Sequence, residues 1–318
     1  MNYPPSLAIF VALYFAVIDF GISDLRQSKA ALASPQLDGS PTALTRGTGQ
    51  ASKERLIAEC RSCPDGPTQF RGGQSDRIPY IIAPRRTYLL SNQPTFRWNR
   101  PIQGAKSYTV TLISLTLRKP VWQKQNVTDN TLAYPAEQPP LEAGVEYSLE
   151  VKVEGGPSSI EEEANVSFRL LAAQDADYVR SASALIFQQQ LSEETTSLLL
   201  AYLYSGYYLR AEAIELLEPL AAKSQKPAVH RLLGDIYQQI GLPSQAENYY
   251  LKAVKFAGST QNLEELAAAQ ARLGEVYLDL GDKEQAIATL KQALELYQKL
   301  NNQQRVKQLQ ERLKKLGA

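Results

Sequence analysis

Hydrophobic and polar positions follow two different periods along this chain, and the change of period divides it. Between Arg77 and Leu171 apolar residues fall at every second place: Tyr108, Val110 and Leu112 in one run, Tyr147, Leu149, Val151 and Val153 in another. A period of two places those side chains on one face of a strand. The runs 95–98, 107–114, 120–123, 145–153 and 164–170, separated by turn residues, predict a β-sandwich of about seven strands. From Asp175 the period becomes helical. Val179, Ala182, Leu185, Ile186 and Gln189 line one side of a helix over 175–190, and Ser192 followed by Glu193 and Glu194 reads as the N-cap of the next. The stretch 34–76 is rich in Ser, Thr, Gly, Pro and Gln and keeps no period, which is a linker composition.

The helical part repeats itself. Leu233-Gly234, Tyr237, Gly241, Ala246 and Ala253 recur forty residues later as Leu273-Gly274, Tyr277, Gly281, Ala286 and Ala293. Gly234 and Ala246 fall on two helices of one hairpin, where a larger side chain would push the pair apart. Gly241 and Gly281 follow a first helix, where a C-cap needs positive φ. The pattern predicts two copies of a helix–turn–helix unit, a kind of unit that stacks and presents a surface. Leu198 to Tyr204 followed by Ala213, Ile214, Leu217 and Leu220 reads as a degenerate first copy, with a turn two residues longer. Val306, Leu309, Leu313 and Leu316, surrounded by Lys307, Arg312, Lys314 and Lys315, predict a polar-backed helix that ends the stack.

The order Leu-Gly-x-x-Tyr, then Gly, then Ala, an aromatic or aliphatic residue, and Ala resembles the tetratricopeptide repeat. The forty-residue interval exceeds the roughly 34 of that family, so the junction from Gly258 to Leu263 is expected to lengthen the helices or the loop. The resemblance implies a concave face built by the first helices. Its second, fifth, ninth and twelfth positions are Ala228, Arg231, Asp235 and Gln238 in one copy and Ala268, Ala271, Glu275 and Leu278 in the next. Arg231, Asp235, Gln238, Glu275 and Leu278 are therefore the candidate partner-binding residues, with solvated helix faces as the alternative. Asp235 and Glu275 would repel a peptide's terminal carboxylate. In the strand part, Phe96-Arg97-Trp98 with Pro101, Gly104-Ala105 and Tyr108-x-Val110 resembles the second and third strands of a fibronectin type III domain. Leu141-x-x-Gly144-x-x-Tyr147 resembles that family's corner, where a tyrosine hydroxyl bonds back to nearby backbone. Trp98 is expected in the core.

Composition narrows the function classes. A chain of 318 residues should hold roughly two domains. The net charge is +1 and no basic stripe interleaves with aromatics, so no nucleic-acid partner is expected. Leu7 to Ile18 is an apolar run of twelve, short for a spanning helix and right for a secretory signal, with Ala31-Leu32-Ala33 as a cleavage site. No Lys or Arg precedes it, so an uncleaved membrane anchor and a cytosolic chain stay open. Cys60 and Cys63 are the only cysteines. A local disulfide, free thiols, and redox or metal chemistry are all readings of them. The single histidine, His230, stands where the repeat places a packing residue, and no catalytic set, cofactor cradle or metal-spaced pair accompanies it. Tyr204, Tyr207 and Tyr208 form an aromatic cluster suited to packing or to binding.

The expected organisation is a signal peptide or anchor at 1–33, a flexible linker at 34–76 and a fibronectin III-like β-sandwich at 77–171. A connecting helix at 172–190 and tetratricopeptide-like repeats with a capping helix at 191–318 complete it. The expected role is a non-enzymatic, exported scaffold in the periplasm or cell envelope that binds a protein or peptide and uses no cofactor. The alternative is a cell-envelope module whose sandwich recognises a polysaccharide or surface polymer. Membrane contact is expected only through an uncleaved N-terminal segment.

Overall fold

The structure is a computed structural model that describes residues 77–101, 104–161 and 166–318. The N-terminal apolar run, the linker and both cysteines lie outside the described residues. Among the described residues eight strands come first: β1 (Ile81–Ala83), β2 (Thr87–Leu89), β3 (Thr95–Trp98), β4 (Tyr108–Ser114), β5 (Lys119–Val127), β6 (Thr131–Ala133), β7 (Tyr147–Val153) and β8 (Phe168–Leu170). They form a three-stranded sheet in the order β1-β3-β6 and a five-stranded sheet in the order β2-β8-β7-β4-β5. Neighbouring strands run antiparallel except β2, which runs parallel to β8. The period of two does what it predicts. Tyr108, Val110 and Leu112 of β4, Leu149 and Val151 of β7, and Phe96 and Trp98 of β3 enter one buried cluster shared by both sheets. Trp98 is fully buried, with its ring edge-on to Tyr108 at 5.4 Å. The Glu142 N–H donates to the Tyr147 hydroxyl at 3.0 Å, the backbone bond implied by the Leu-x-x-Gly-x-x-Tyr spacing.

Eight helices follow: α1 (Ala173–Gln188), α2 (Glu193–Gly206), α3 (Arg210–Lys223), α4 (Pro227–Gln239), α5 (Pro243–Ser259), α6 (Leu263–Asp279), α7 (Lys283–Lys299) and α8 (Gln303–Leu316). Their starts are legible in the sequence. Ser192, Asn262, Asp282 and Asn302 each accept a bond from the N–H three residues on, and Pro227 and Pro243 open α4 and α5. The forty-residue interval comes from the helices: α5, α6 and α7 each run 17 residues, while the turn between α5 and α6 is only Thr260–Asn262. The first repeat's turn is a correction to the expectation. It spans residues 207–209, the same length as 240–242 and 280–282. Tyr208, at φ 58°, takes the left-handed position that Gly241 (φ 78°) and Gly281 (φ 85°) fill in the later copies, so the missing glycine hid the alignment. Inside each hairpin the small residues permit close approach. A Cβ on Gly234 would lie 2.7 Å from the Tyr250 ring, and one on Gly274 would lie 2.6 Å from Leu290.

Tyr208 tolerates its backbone geometry because the strand half holds it. Its carbonyl accepts from the Tyr88 N–H and from the Thr87 hydroxyl, each at 2.9 Å. The Thr87 oxygen in turn accepts from the Arg210 N–H at 2.9 Å, and the Arg210 guanidinium lies 4.9 Å over the Tyr208 ring and also donates to the Arg86 carbonyl. Further along, the buried Arg85 Nε donates to the Ile240 carbonyl at 2.7 Å, and Arg97 forks onto Glu218 at 2.7 and 3.0 Å. Behind α3, helix α1 packs on α2: Ala176 and Val179 meet Leu209, Leu203, Tyr204 and Tyr207 in a separate cluster. The two halves thus form one continuous body.

One contact at this junction carries a titratable group. Glu212 Oε1 accepts the Leu90 N–H at 2.6 Å, and its Oε2 is sealed from water without a hydrogen-bond partner. Burial, with the neighbouring Glu215 charge assisting, pushes this carboxyl up to about 7, against the Leu90 and Glu212 backbone N–H groups, which lower it. In the unfolded chain it ionises near 4.5, so between those two values the folded chain holds the proton and the unfolded chain has lost it. Stability is then highest below pH 4.5 and falls as the pH rises to 7, by on the order of 2–3 kcal/mol. We expect Glu212→Gln to remove this slope. Urea midpoints measured from pH 5 to 8 on both chains check it, and parallel curves would refute the assignment.

Candidate functional site

Two first helices of the stack, α4 and α6, carry the residues implied for the concave face, and the structure ties their charges to partners within the chain. Arg231 is buried, at 5% exposure. Its Nε and Nη2 fork onto Glu265 at 2.8 and 3.2 Å, and its Nη1 reaches Asp235 at 3.3 Å. Asp235 Oδ1 also meets Arg272 at 3.3 Å and accepts the Tyr250 hydroxyl at 2.7 Å. Gln238 Oε1 lies 3.2 Å from that hydroxyl, and Gln238 Nε2 donates to Asp279 at 3.0 Å. Glu275 is forked by Arg312 of α8, with a closest approach of 2.6 Å.

The geometry has a rule. Asp235 pairs with Arg272, and Glu275 pairs with Arg312, so both members of the pair move by forty residues. Each ninth-position carboxylate reaches forward to an arginine on the next first helix, with α8 serving as the last. Arg231 and Glu265 form a second, buried tie between α4 and α6. Such ties fix the spacing of successive repeats, because a slipped stack would leave carboxylates without partners.

The electrostatics follow from burial. For Arg231, desolvation alone would favour losing the proton, but Glu265, Tyr202 and Asp235 outweigh it and hold the guanidinium charged beyond its ordinary range. Burial, helped by Asp235, pushes the Tyr250 hydroxyl well above its usual value, so it stays a donor. Burial also raises Asp279, with Glu275 adding to the effect. Of the five candidate residues, Arg231 is sealed inside. Asp235, Gln238 and Glu275 are half-buried and bonded within the chain, and Leu278 is half-buried. The face they leave is made of small or apolar half-buried side chains, Ala228, Ala268, Ala271 and Leu278.

Other sequence candidates go to packing. His230 is buried, 4.9 Å from the Phe256 ring, with Nε2 at 2.9 Å from the Ser224 carbonyl, and desolvation lowers its pKa. Tyr207 lies against Tyr178 at 5.7 Å and Tyr208 against Tyr88 at 6.4 Å. Among the described residues no group of three or more His, Cys, Asp or Glu could hold a metal ion, and no helix is long and apolar enough to cross a membrane. Sequence reasoning missed Glu265, Arg272 and Arg312. The shared offset of the last two was available in the sequence, whereas no repeat of spacing links Glu265 to Arg231.

With this geometry in view, a family model described as the tetratricopeptide repeat matches residues 226–299. The C-terminal half of the chain carries tetratricopeptide repeats. Similar solved structures include BtubC from P. vanneervenii, at 22% identity and TM-score 0.37 over 45% of this chain and 63% of that one. Nearly identical TPR-like repeats from Podosopora anserina match at 21% identity and TM-score 0.33, over 46% of this chain and 87% of that one. MamA matches at 17% identity and TM-score 0.33, over 44% and 86%.

The buried tie is testable. We expect Arg231→Met to destabilise the chain by roughly 3–5 kcal/mol, because the buried Glu265 is left beside an apolar side chain. Adding Glu265→Leu should recover most of that loss. Urea unfolding of both variants measures it, and an equal loss in the double variant would show that the tie is not the cause.

Proposed function

We propose that this chain is a non-enzymatic scaffold that holds a protein partner on the concave face of its repeats. Tetratricopeptide repeats generally mediate protein partner binding, and the carrying observation is where the strand half attaches. Its polar contacts reach the 207–209 and 240–242 turns, α3 and the start of α5. Its Tyr88 and Leu90 share a cluster with Leu203 and Tyr204 at the end of α2, so the first-helix face of α4 and α6 is left for another occupant. That face offers Ala228, Ala268, Ala271 and Leu278 between pairs of already matched charges. Such a surface suits an uncharged helical or extended segment better than a terminal carboxylate, since its carboxylates are engaged and no spare cation lies among those small residues. The strand half is a fibronectin III-like β-sandwich in this reading. The sheet orders, the shared core and the Tyr147 corner support it. A sugar-binding role for the sandwich draws less support, because Phe96, Trp98 and Tyr108 lie in the core.

The groove is tested with a photo-crosslinking residue at Ala271, compared with one at the exposed Leu251 of α5, in the native host. Crosslinks to one protein from position 271 that vanish with Leu278→Arg are the expected outcome. Equal labelling from 251, or insensitivity to the arginine, would sink the groove reading.

Export belongs to the same proposal, resting on Leu7–Ile18 and the Ala31-Leu32-Ala33 site. N-terminal sequencing of the mature protein from envelope extracts should begin at Ser34. A chain beginning at Met1 in the soluble cytosol would refute it.

A further inference from the structure

The two edges of the five-stranded sheet are treated differently. At one edge, β2 is closed by the helical half, which accepts the Tyr88 and Leu90 N–H groups at Tyr208 and Glu212. At the other, β5 pairs with β4 on one side and with no strand on the other among the described residues. An edge strand presents a row of backbone donors and acceptors, and proteins guard such an edge against their own copies by keeping it short, bulging or covering it, or placing Lys and Pro on it. β5 carries Lys119, Pro120 and Lys124 and two register irregularities against β4. Yet it is the longest strand among the described residues, at nine, and every one of them but Trp122 and Val127 is exposed. Its position is firmly set. Trp122 turns inward, 6.0 Å from Phe96 and 5.5 Å from Tyr134, while Gln123 donates to the Thr111 hydroxyl at 3.1 Å on the outer face.

Beside this edge the surface is both apolar and basic. Val121 is 40% exposed on the outer face, and the β4–β5 turn adds Leu115 at 41% and Leu117 at 57%. From Leu115 to Thr128 the chain carries Arg118, Lys119 and Lys124 and no carboxylate. Those charges discriminate between occupants. A second copy joined β5 to β5 would gather the cations of both chains on one seam with nothing to offset them, and like charges facing across strands are destabilising. A strand carrying carboxylates would be matched.

We infer that β5 is a docking edge for an extended acidic segment of a partner protein, which adds to the sheet as a sixth strand. The segment's backbone pairs with β5, its carboxylates meet Arg118, Lys119 and Lys124, and an apolar side chain rests on Leu117 and Val121. This site lies on the strand half and stands whether or not the repeat groove binds anything.

The test uses the full chain and a fluorescein-labelled peptide of alternating glutamate and valine, with lysine replacing glutamate in the control. By anisotropy the acidic peptide should bind at least about tenfold more tightly than the control, and more weakly as salt is raised. Lys119→Glu with Lys124→Glu should reverse the preference, and Leu117→Ser should weaken both. Hydrogen exchange on the unmodified chain keeps the test independent of those variants: the acidic peptide should protect amides in 119–127. Equal affinity for the two peptides, no binding, or protection confined to the helices would overturn the inference. So would a concentration-dependent dimer whose β5 amides are protected without peptide.

Discussion

The molecule depends on one carbonyl group. The Tyr208 oxygen ends a helical turn that is held at positive φ, and it receives the Tyr88 N–H at the edge of a sheet. A left-handed tyrosine is costly by itself, of order 1–3 kcal/mol, and an uncovered sheet edge invites misassociation. Here each problem is the other's solution. The strand supplies donors for the strained turn, and the turn supplies acceptors for the open strand. Thr87 and Arg210 complete the contact from either side. A helix stack and a pair of sheets that could each have been separate units are thereby joined as one.

Much of this was legible in the residues. Alternation marked β4 and β7 because both are long and face a core on one side. The same rule could not mark β1, β2 and β6, which are three residues each and too short to display a period. The capping residues set the helix starts, and the forty-residue offset set the repeats. What sequence alone concealed was a substitution of roles. In the first repeat Tyr208 does the work of glycine, so the residue pattern suggests a longer turn than the chain has. The groove was legible as a face and not as a state. Arg231, Asp235 and Glu275 do occupy first-helix positions, but pairing is a property of two distant residues. Only folding brings Glu265, Arg272 and Arg312 to them as partners.

Those pairings change what the concave face can recognise. Charges already matched at 2.6 to 3.3 Å have little left to offer a ligand, and freeing them would cost more than a surface contact returns. In the proposed scaffold, specificity would then rest on shape, in the spaces set by Ala228, Ala268 and Ala271. If β5 docks an acidic segment as inferred, discrimination by charge falls to the strand half, where Lys119 and Lys124 stand in a stretch, 115–128, that holds no carboxylate.

The forward-reaching pair also bears on how such a chain can grow. Asp235, Glu275 and Lys315 stand at successive intervals of forty. Copying one whole interval would carry a carboxylate and its arginine together, so the inserted unit would arrive with both of its joints already fitted. An insertion of any other length would separate them. At the third position the carboxylate is replaced by Lys315, so α8 offers no socket for another arginine, and new units of this kind fit within the array.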